Sequence, residues 1–237
     1  DDVYAIIADT ASLGYNDVTD GSRATFASGL ATIQAARQVK ERMCARAAKI
    51  WGIPEDAVKW EGGAAVPSGP NAGDHEISAE GAGPSFATHL VDAEIDRETG
   101  RIDILRYTVV QDAGKAVHPA YVEGQFQGGA VQGIGWALNE EYIYNDDGVL
   151  ENPGFLDYRV PVASDLPMIE TVIVEKPNPG HPYGVRGVGE TSIVPPMGAI
   201  ANAVSAAAKV RATEIPMSPP RMLKLLREHE KAAKAAE

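Results

Sequence analysis

The stretch Phe86-Ala-Thr-His-Leu-Val-Asp-Ala-Glu-Ile-Asp-Arg-Glu-Thr-Gly100-Arg-Ile-Asp-Ile-Leu-Arg-Tyr-Thr-Val-Val110 decides the fold class of this 237-residue chain. Residues 86–95 and 102–110 are strand-like, and Asp96-Arg-Glu-Thr-Gly100 between them supplies the turn. The second strand ends at Gln111-Asp112-Ala113-Gly114. An antiparallel hairpin at the centre of a chain that is otherwise rich in helical periodicity points to an α+β domain with mixed sheets and packed helices. It argues against a doubly wound parallel sheet.

Working outward, residues 62–84 are rich in Gly, Pro, Ser and Ala and are expected to be a connecting loop. Before them the spacing of Ile33, Ala36, Val39, Met43, Ala47 and Ile50 predicts a helix from about Thr25 to Trp51 with that face turned inward. Gly52 stops it, and Ala57–Trp60 reads as a short strand. Val3–Ala8 reads as a buried strand that ends at Asp9-Thr10 and a polar loop.

Downstream, residues 119–140 predict a helix that carries Gly124, Gly128, Gly129, Gly133 and Gly135. Each glycine costs about 1 kcal/mol in a helix interior, so close packing against another backbone or a bulky ligand is expected. A second hairpin is expected at Tyr142–Leu150 around Asn145-Asp-Asp-Gly148, then a strand over Pro167–Lys176. Helices follow at Gly198–Arg211, with Ile200, Ala203, Val204, Ala207 and Ala208 inward, and at Arg221–Ala236. No internal repeat is visible. The organisation expected is one unit over 1–237, divisible into subdomains 1–84 and 85–237.

Composition narrows the function classes. The net charge is -12, with no Lys/Arg block to track phosphates, so nucleic acid is not an expected partner. The single Cys44 excludes disulfides and multi-cysteine metal sites within the chain. No apolar run approaches the roughly 20 residues of a membrane helix, and a cytoplasmic setting is the default expectation. The start at Asp1-Asp2-Val3, without Met, reads as a piece of a longer protein or a processed subunit.

The candidate chemistry gathers on His181-Pro-Tyr-Gly-Val-Arg-Gly-Val-Gly-Glu190-Thr-Ser. Gly184, Gly187 and Gly189 permit a tight backbone, positive in φ, that approaches a ligand closely. A carboxylate held on such a loop away from bulk water has a raised pKa and is suited to general-base work. The other local reading is a solvated surface glutamate. Gln125 and Gln132 stand seven apart on one helical face, either as polar-ligand contacts or as exposed amides. Gly21-Ser22-Arg23 ahead of a helix either binds an anion or forms a plain N-cap. The five histidines have no ligand spacing, and no dinucleotide fingerprint, phosphate loop or GxSxG element is present.

Taken in order, these pieces resemble the molybdenum-binding subunit of the xanthine dehydrogenase/aldehyde oxidase family, as its C-terminal half. The residues that carry the resemblance begin with Asp9-Thr10, Asp20-Gly21-Ser22-Arg23 and Glu94-Ile95-Asp96-x-x-Thr99-Gly100. Gln111-Asp112-Ala113-Gly114-x-x-x-His118-Pro119 and Gly124-Gln125-x-x-Gly128-Gly129-x-x-Gln132-Gly133-x-Gly135 come next. Glu140-Glu141, Gly148, Asp157-Tyr158 and Gly184-x-x-Gly187-Val188-Gly189-Glu190 close the set. His118 and Ala113 depart from the usual Asn and Cys.

The resemblance implies a molybdenum–molybdopterin cofactor, in a bare or a dinucleotide form, with no metal ligand taken from these residues. It implies oxygen insertion from water at an electron-poor C–H of a small molecule. The glutamate matching Glu190 would be the general base. Gln125 and Gly189 would lie against the cofactor, and Gly21, Ser22 and Arg23 would contact its phosphate or nucleotide tail. The implied partners are the N-terminal half of the molybdenum subunit (a separate chain or an absent segment), an iron–sulfur subunit that takes the electrons, and in some members an FAD subunit. The chain alone is expected to be inactive. Two alternatives stand beside this: a noncatalytic subunit that completes a cofactor-bearing partner, and a carboxylate hydrolase pairing Glu190 with Asp112.

Overall fold

The structure, a computed structural model, describes residues 19–67 and 83–236. The strand expected at 3–8, the polar loop up to residue 18 and most of the 62–84 connection lie outside the described residues.

After a five-residue π-helical turn, Ala24–Ser28, helix α1 runs over Gly29–Trp51. Gly52 closes it in the left-handed conformation (φ 67°), a position that costs a Cβ-bearing residue more than glycine. The hairpin β1 (Val58–Glu61) and β2 (Ala64–Pro67) follows. Its two-residue turn is Gly62-Gly63, both with positive φ (60° and 83°), the requirement of a type I′ connection. Strand β2 stands where the composition of residues 62–84 predicts only a loop, because the Gly62-Gly63 turn brings Ala64–Pro67 back against β1. A second correction concerns α1, whose expected inward residues Val39, Met43 and Ile50 are exposed, while the neighbouring Ala48 is buried.

The central sheet has the order β3-β4-β5. Strands β3 (Ala87–Ile95) and β4 (Ile102–Asp112) form the antiparallel hairpin foreseen from the sequence. Asp96 organises its turn by accepting the N–H of Glu98 (2.8 Å) and the hydroxyl of Thr99 (2.7 Å). Gly100 (φ 78°) leaves room there, since a Cβ would stand 2.6 Å from the backbone N of Leu223. Strand β5 (Ile169–Val174) pairs parallel with β4, and a parallel neighbour requires a crossover. Helix α2 (Pro119–Leu138) lies in that crossover. The second expected hairpin reduces to a single bridge, Tyr144 to Leu150, around a turn held by Asn145.

Helices α3 (Pro195–Ala208) and α4 (Pro219–Ala236) complete the fold. Helix α3 packs against β3 and α2; Ile200, Val204 and Ala208 are buried as foreseen, but Ala207 is exposed. The core joins Tyr107 and Val109 of β4, Phe126 and Ile134 of α2, and Met222 and Leu226 of α4. Burying side chains of this size contributes about 1.5–3 kcal/mol each. The architecture is α+β with a mixed sheet. Among the described residues no helix is long and apolar enough to cross a membrane.

Candidate functional site

The loop ending on Glu190 is fixed along its length before the carboxylate is reached. Gly184 turns left-handed (φ 66°), and its carbonyl accepts the N–H groups of Lys115 (2.8 Å) and Asn178 (2.9 Å). Val185 then bridges to Gly114. Gly114 must be small, because a Cβ on it would stand 2.8 Å from Arg186 N. Arg186 Nε lies 3.2 Å from Asp112 Oδ2, with both side chains largely buried, and its guanidinium also donates to the carbonyls of Lys176 and Pro84. Two residues on, the Val188 carbonyl accepts from Gln111 Nε2 at 2.9 Å.

Positive φ, expected across the glycines of this loop, is found at Gly184. Gly187 and Gly189 are there for space. A Cβ on Gly187 would lie 3.0 Å from Ser22 Cβ, and one on Gly189 would lie 2.9 Å from Gln125 Oε1. The backbone approach foreseen toward a ligand is thus an approach to the chain's own Ser22 turn and Gln125 amide.

Ser22 makes the most informative contact. Gly21 and Ser22 both have positive φ (57° and 53°), a conformation that costs a Cβ-bearing residue about 1–2 kcal/mol. The turn puts Ser22 Oγ where it accepts the N–H of Glu190 at 2.6 Å and donates to Glu190 Oε2 at 3.4 Å. The N-cap alternative fails, since Arg23 occupies the cap position of the π-helical turn without a side-chain cap bond. Arg23 Nε stands 3.4 Å from Asp20 Oδ1 in an exposed pair.

Glu190 itself is exposed. The shielding from bulk water expected on sequence grounds is not supplied by the described residues. The carboxylate stands between two cavities. One, of about 860 Å³, is lined by Gly21, Phe26, Phe86 and Val194 among others. The other, of about 520 Å³, is lined by Asp20, Gln125, Arg186 and Val188 among others. Both include Ser22 and Glu190.

Helix α2 meets this site with two different faces. On the inner face, a Cβ on Gly129 would lie 2.9 Å from Ser192 Cβ, and one on Gly133 would lie 2.6 Å from Pro196 Cγ. Ser192, which the sequence reading did not single out, is fully buried. Its Oγ reaches the carbonyls of Gln125 (3.2 Å) and Gly189 (3.3 Å), tying helix to loop. On the outer face Gly124, Gln125, Gly128 and Gln132 are exposed, and a Cβ on Gly124 or Gly128 would meet none of the described residues within 4 Å. The structure brings Gln125, Ser22, Gly189 and Glu190 together; Gln132 lies two turns further along the helix with no hydrogen bond to that group.

The other titratable candidates are committed elsewhere. His181 is buried and accepts the Tyr183 N–H at its Nδ1 (3.1 Å). His89 is buried against Tyr107, ring nitrogen to hydroxyl 2.8 Å, and burial pushes its pKa down to about 4. Asp112 accepts the N–H groups of Gly114 and Lys176 at Oδ1 (2.9 and 3.1 Å) and pairs with Arg186 at Oδ2. Both of its carboxylate oxygens are thus engaged within the chain, in bonds that hold the strand end and the loop together. Among the described residues no group of three or more His, Cys, Asp or Glu side chains could hold a metal ion. The exposed amide of Gln125, with bare helix surface at Gly124 and Gly128 and an accessible carboxylate nearby, fits residues that would hold a polar organic cofactor.

Comparison with known proteins gives one family match and several partial relatives. The model of a molybdopterin cofactor-binding domain matches residues 1–167. The xanthine dehydrogenase molybdenum-binding subunit of Escherichia coli O157:H7 is 40% identical over 140 residues, which are 59% of this chain and 19% of that protein. The nicotine 6-hydroxylase large subunit of Paenarthrobacter nicotinovorans is 30% identical over 230 residues, covering 85% of this chain and 28% of that subunit. The crystal structure of quinoline 2-oxidoreductase from Pseudomonas putida 86 matches 57% of the chain at 34% identity with a TM-score of 0.55. Reconstituted CO dehydrogenase from Oligotropha carboxidovorans matches 93% of it at 25% identity with a TM-score of 0.73. The chain spans between about one fifth and one third of the length of the curated relatives first matched.

Proposed function

The chain belongs to the molybdopterin cofactor-binding domain family, and from that premise we propose that it forms one part of the molybdenum site of a hydroxylase, with Glu190 as general base. The observation that carries this reading is the convergence of Ser22, Gln125 and Gly189 on Glu190, built from segments far apart in sequence. The substrate class is a small molecule with an electron-poor C–H, such as an aldehyde or an N-heterocycle. The reaction adds a water-derived oxygen, releases two protons and delivers two electrons. The bound cofactor supplies the electron acceptor, and the electrons leave through iron–sulfur clusters of a partner subunit, with or without FAD beyond them.

Within the chain, Glu190 takes a proton from the attacking water-derived hydroxyl at Oε1, while Ser22 steadies Oε2 and the backbone of the same residue. Holding a base in hydrogen-bond reach of one proton is worth about 10²–10⁴ in rate. Gln125 offers an amide that both donates and accepts toward a polar cofactor edge. Gly21, Ser22 and Arg23 line the cavity of about 860 Å³ beside Glu190, where a phosphate or nucleotide tail would lie. Residues 19–67 pack chiefly on one another and reach the site through this turn, which accords with subdomains divided at 84/85. The exposure of Glu190 is explained if the remainder of the large subunit, on the same or another polypeptide, closes the site.

Glu190→Gln in the assembled complex tests the reading. Turnover should drop by about 10²–10⁴ while molybdenum content and substrate-free spectra stay unchanged. Near-normal turnover would remove Glu190 from the chemistry. The isolated chain should show no turnover; stoichiometric molybdenum with activity in that preparation would contradict the divided site.

A further inference from the structure

Two adjacent residues at the end of β4 hold alternate residues of the loop that carries Glu190. Gln111 is fully buried, and its amide makes one protein hydrogen bond, Nε2 to the Val188 carbonyl at 2.9 Å. Among the described residues its Oε1 is buried without a hydrogen-bond partner. Asp112 grips Arg186 (3.2 Å) and two backbone N–H groups. Consecutive strand residues point to opposite faces, so Val188 and Arg186 are held from opposite sides of the strand end. Strand β4 is itself held at this end: Asp112 donates its N–H to Phe86, and its carbonyl accepts the Ser85 hydroxyl.

From this geometry we infer that Gln111 and Asp112 are positioning residues for Glu190, acting through the Val188 carbonyl and the Arg186 guanidinium. The inference rests on the reading of Glu190 as the base. Between the Val188 carbonyl and the Glu190 amide lies Gly189, which has no side chain to stiffen it. The position of Glu190 therefore depends on Gln111 at the Val188 carbonyl, Ser192 at the Gly189 carbonyl and Ser22 at the Glu190 N–H. Neither Gln111 nor Asp112 touches the carboxylate.

The test uses the assembled holoenzyme. Gln111→Leu removes the donor at similar volume. We expect kcat to fall about 10- to 100-fold, the scale of a misplaced catalytic group, with KM, molybdenum content and the Mo(V) resonance signal unchanged. Amide exchange over residues 184–190 should quicken about tenfold, as one lost hydrogen bond allows, with the β3–β4 hairpin unaffected. Gln111→Glu serves as the second variant. Its carboxyl donates to Val188 when protonated and repels it when ionised, so loop exchange and kcat should be near wild type at low pH and worsen as pH rises.

Unaltered exchange and kcat in both variants would overturn the inference. So would exchange that quickens equally through the whole hairpin, which marks a general loss of packing. Should Gln111→Leu fail to assemble, the pH series of Gln111→Glu decides alone. Glu190→Gln separates the two claims. Retained turnover there ends the base reading, whereas the exchange of residues 184–190 in the Gln111 variants judges the anchoring independently.

Discussion

The two faces of helix α2 differ in what their glycines answer to. On the inner face Gly129 and Gly133 are forced by neighbours of the same chain, Ser192 and Pro196. On the outer face Gly124 and Gly128 meet none of the described residues, yet each still weakens the helix by about 1 kcal/mol relative to alanine. A helix retains such a cost where something outside it needs the bare backbone. The inner face explains how the chain folds, and the outer face, with Gln125 between its two glycines, points to what the chain is for.

Substitutions on the two faces should therefore have opposite effects. Gly133→Ala places a methyl 2.7 Å from the Ile193 carbonyl and against Pro196, where the backbone cannot yield. Overpacking of this kind costs about 1–3 kcal/mol, and thermal unfolding of the assembled protein should show a clear loss; an unchanged midpoint would mean that the inner face is loose.

Acid should strain the same buried region. His89 titrates near 4 in the folded chain, pushed down by burial, against an ordinary value of 6.5. The unfolded chain binds that proton first, so stability should be level above about pH 6.5 and decline as pH falls toward about 4. His89→Gln should flatten the decline, which unfolding midpoints measured across that range would reveal.

The smallest effect on stability belongs to the outer face. Gly128→Ala should leave the midpoint unchanged or raise it by up to about 1 kcal/mol of helix stability, while the purified complex loses bound pterin. Wild-type pterin content would break the contrast between the faces.

The central hairpin was legible because Asp96, Thr99 and Gly100 form a local turn that needs no distant partner. Strand β2 was hidden because Gly62-Gly63, a turn signal, sits at the head of a segment whose composition reads as a linker. The stripe on α1 was read correctly as apolar but wrongly as covered. Periodicity reports which side of a helix is greasy, not what lies against it, and Val39, Met43 and Ile50 stay in solvent. At the site, the glycines of the Glu190 loop announced a close approach without naming the partner. Ser22 lies 168 residues away, and neither local pattern nor propensity links positions that far apart; the family motifs assigned both to one cofactor but gave no contact between them. The Asp112–Arg186 pair and buried Ser192 carried no spacing signal at all.

The conformation of Ser22 also bears on how freely that position can vary over generations. Glycine would adopt the left-handed turn but lose the oxygen that receives the Glu190 N–H. Threonine would keep the oxygen, yet its branched Cβ is poorly tolerated at positive φ. Alanine loses the oxygen and keeps the strain, while asparagine, at ease in that region, carries its oxygen one atom farther out. Selection at residue 22 therefore has almost no neutral ground. A saturation scan of the assembled enzyme should find it among the least permissive sites of the chain, although it is partly exposed and lies far from the core.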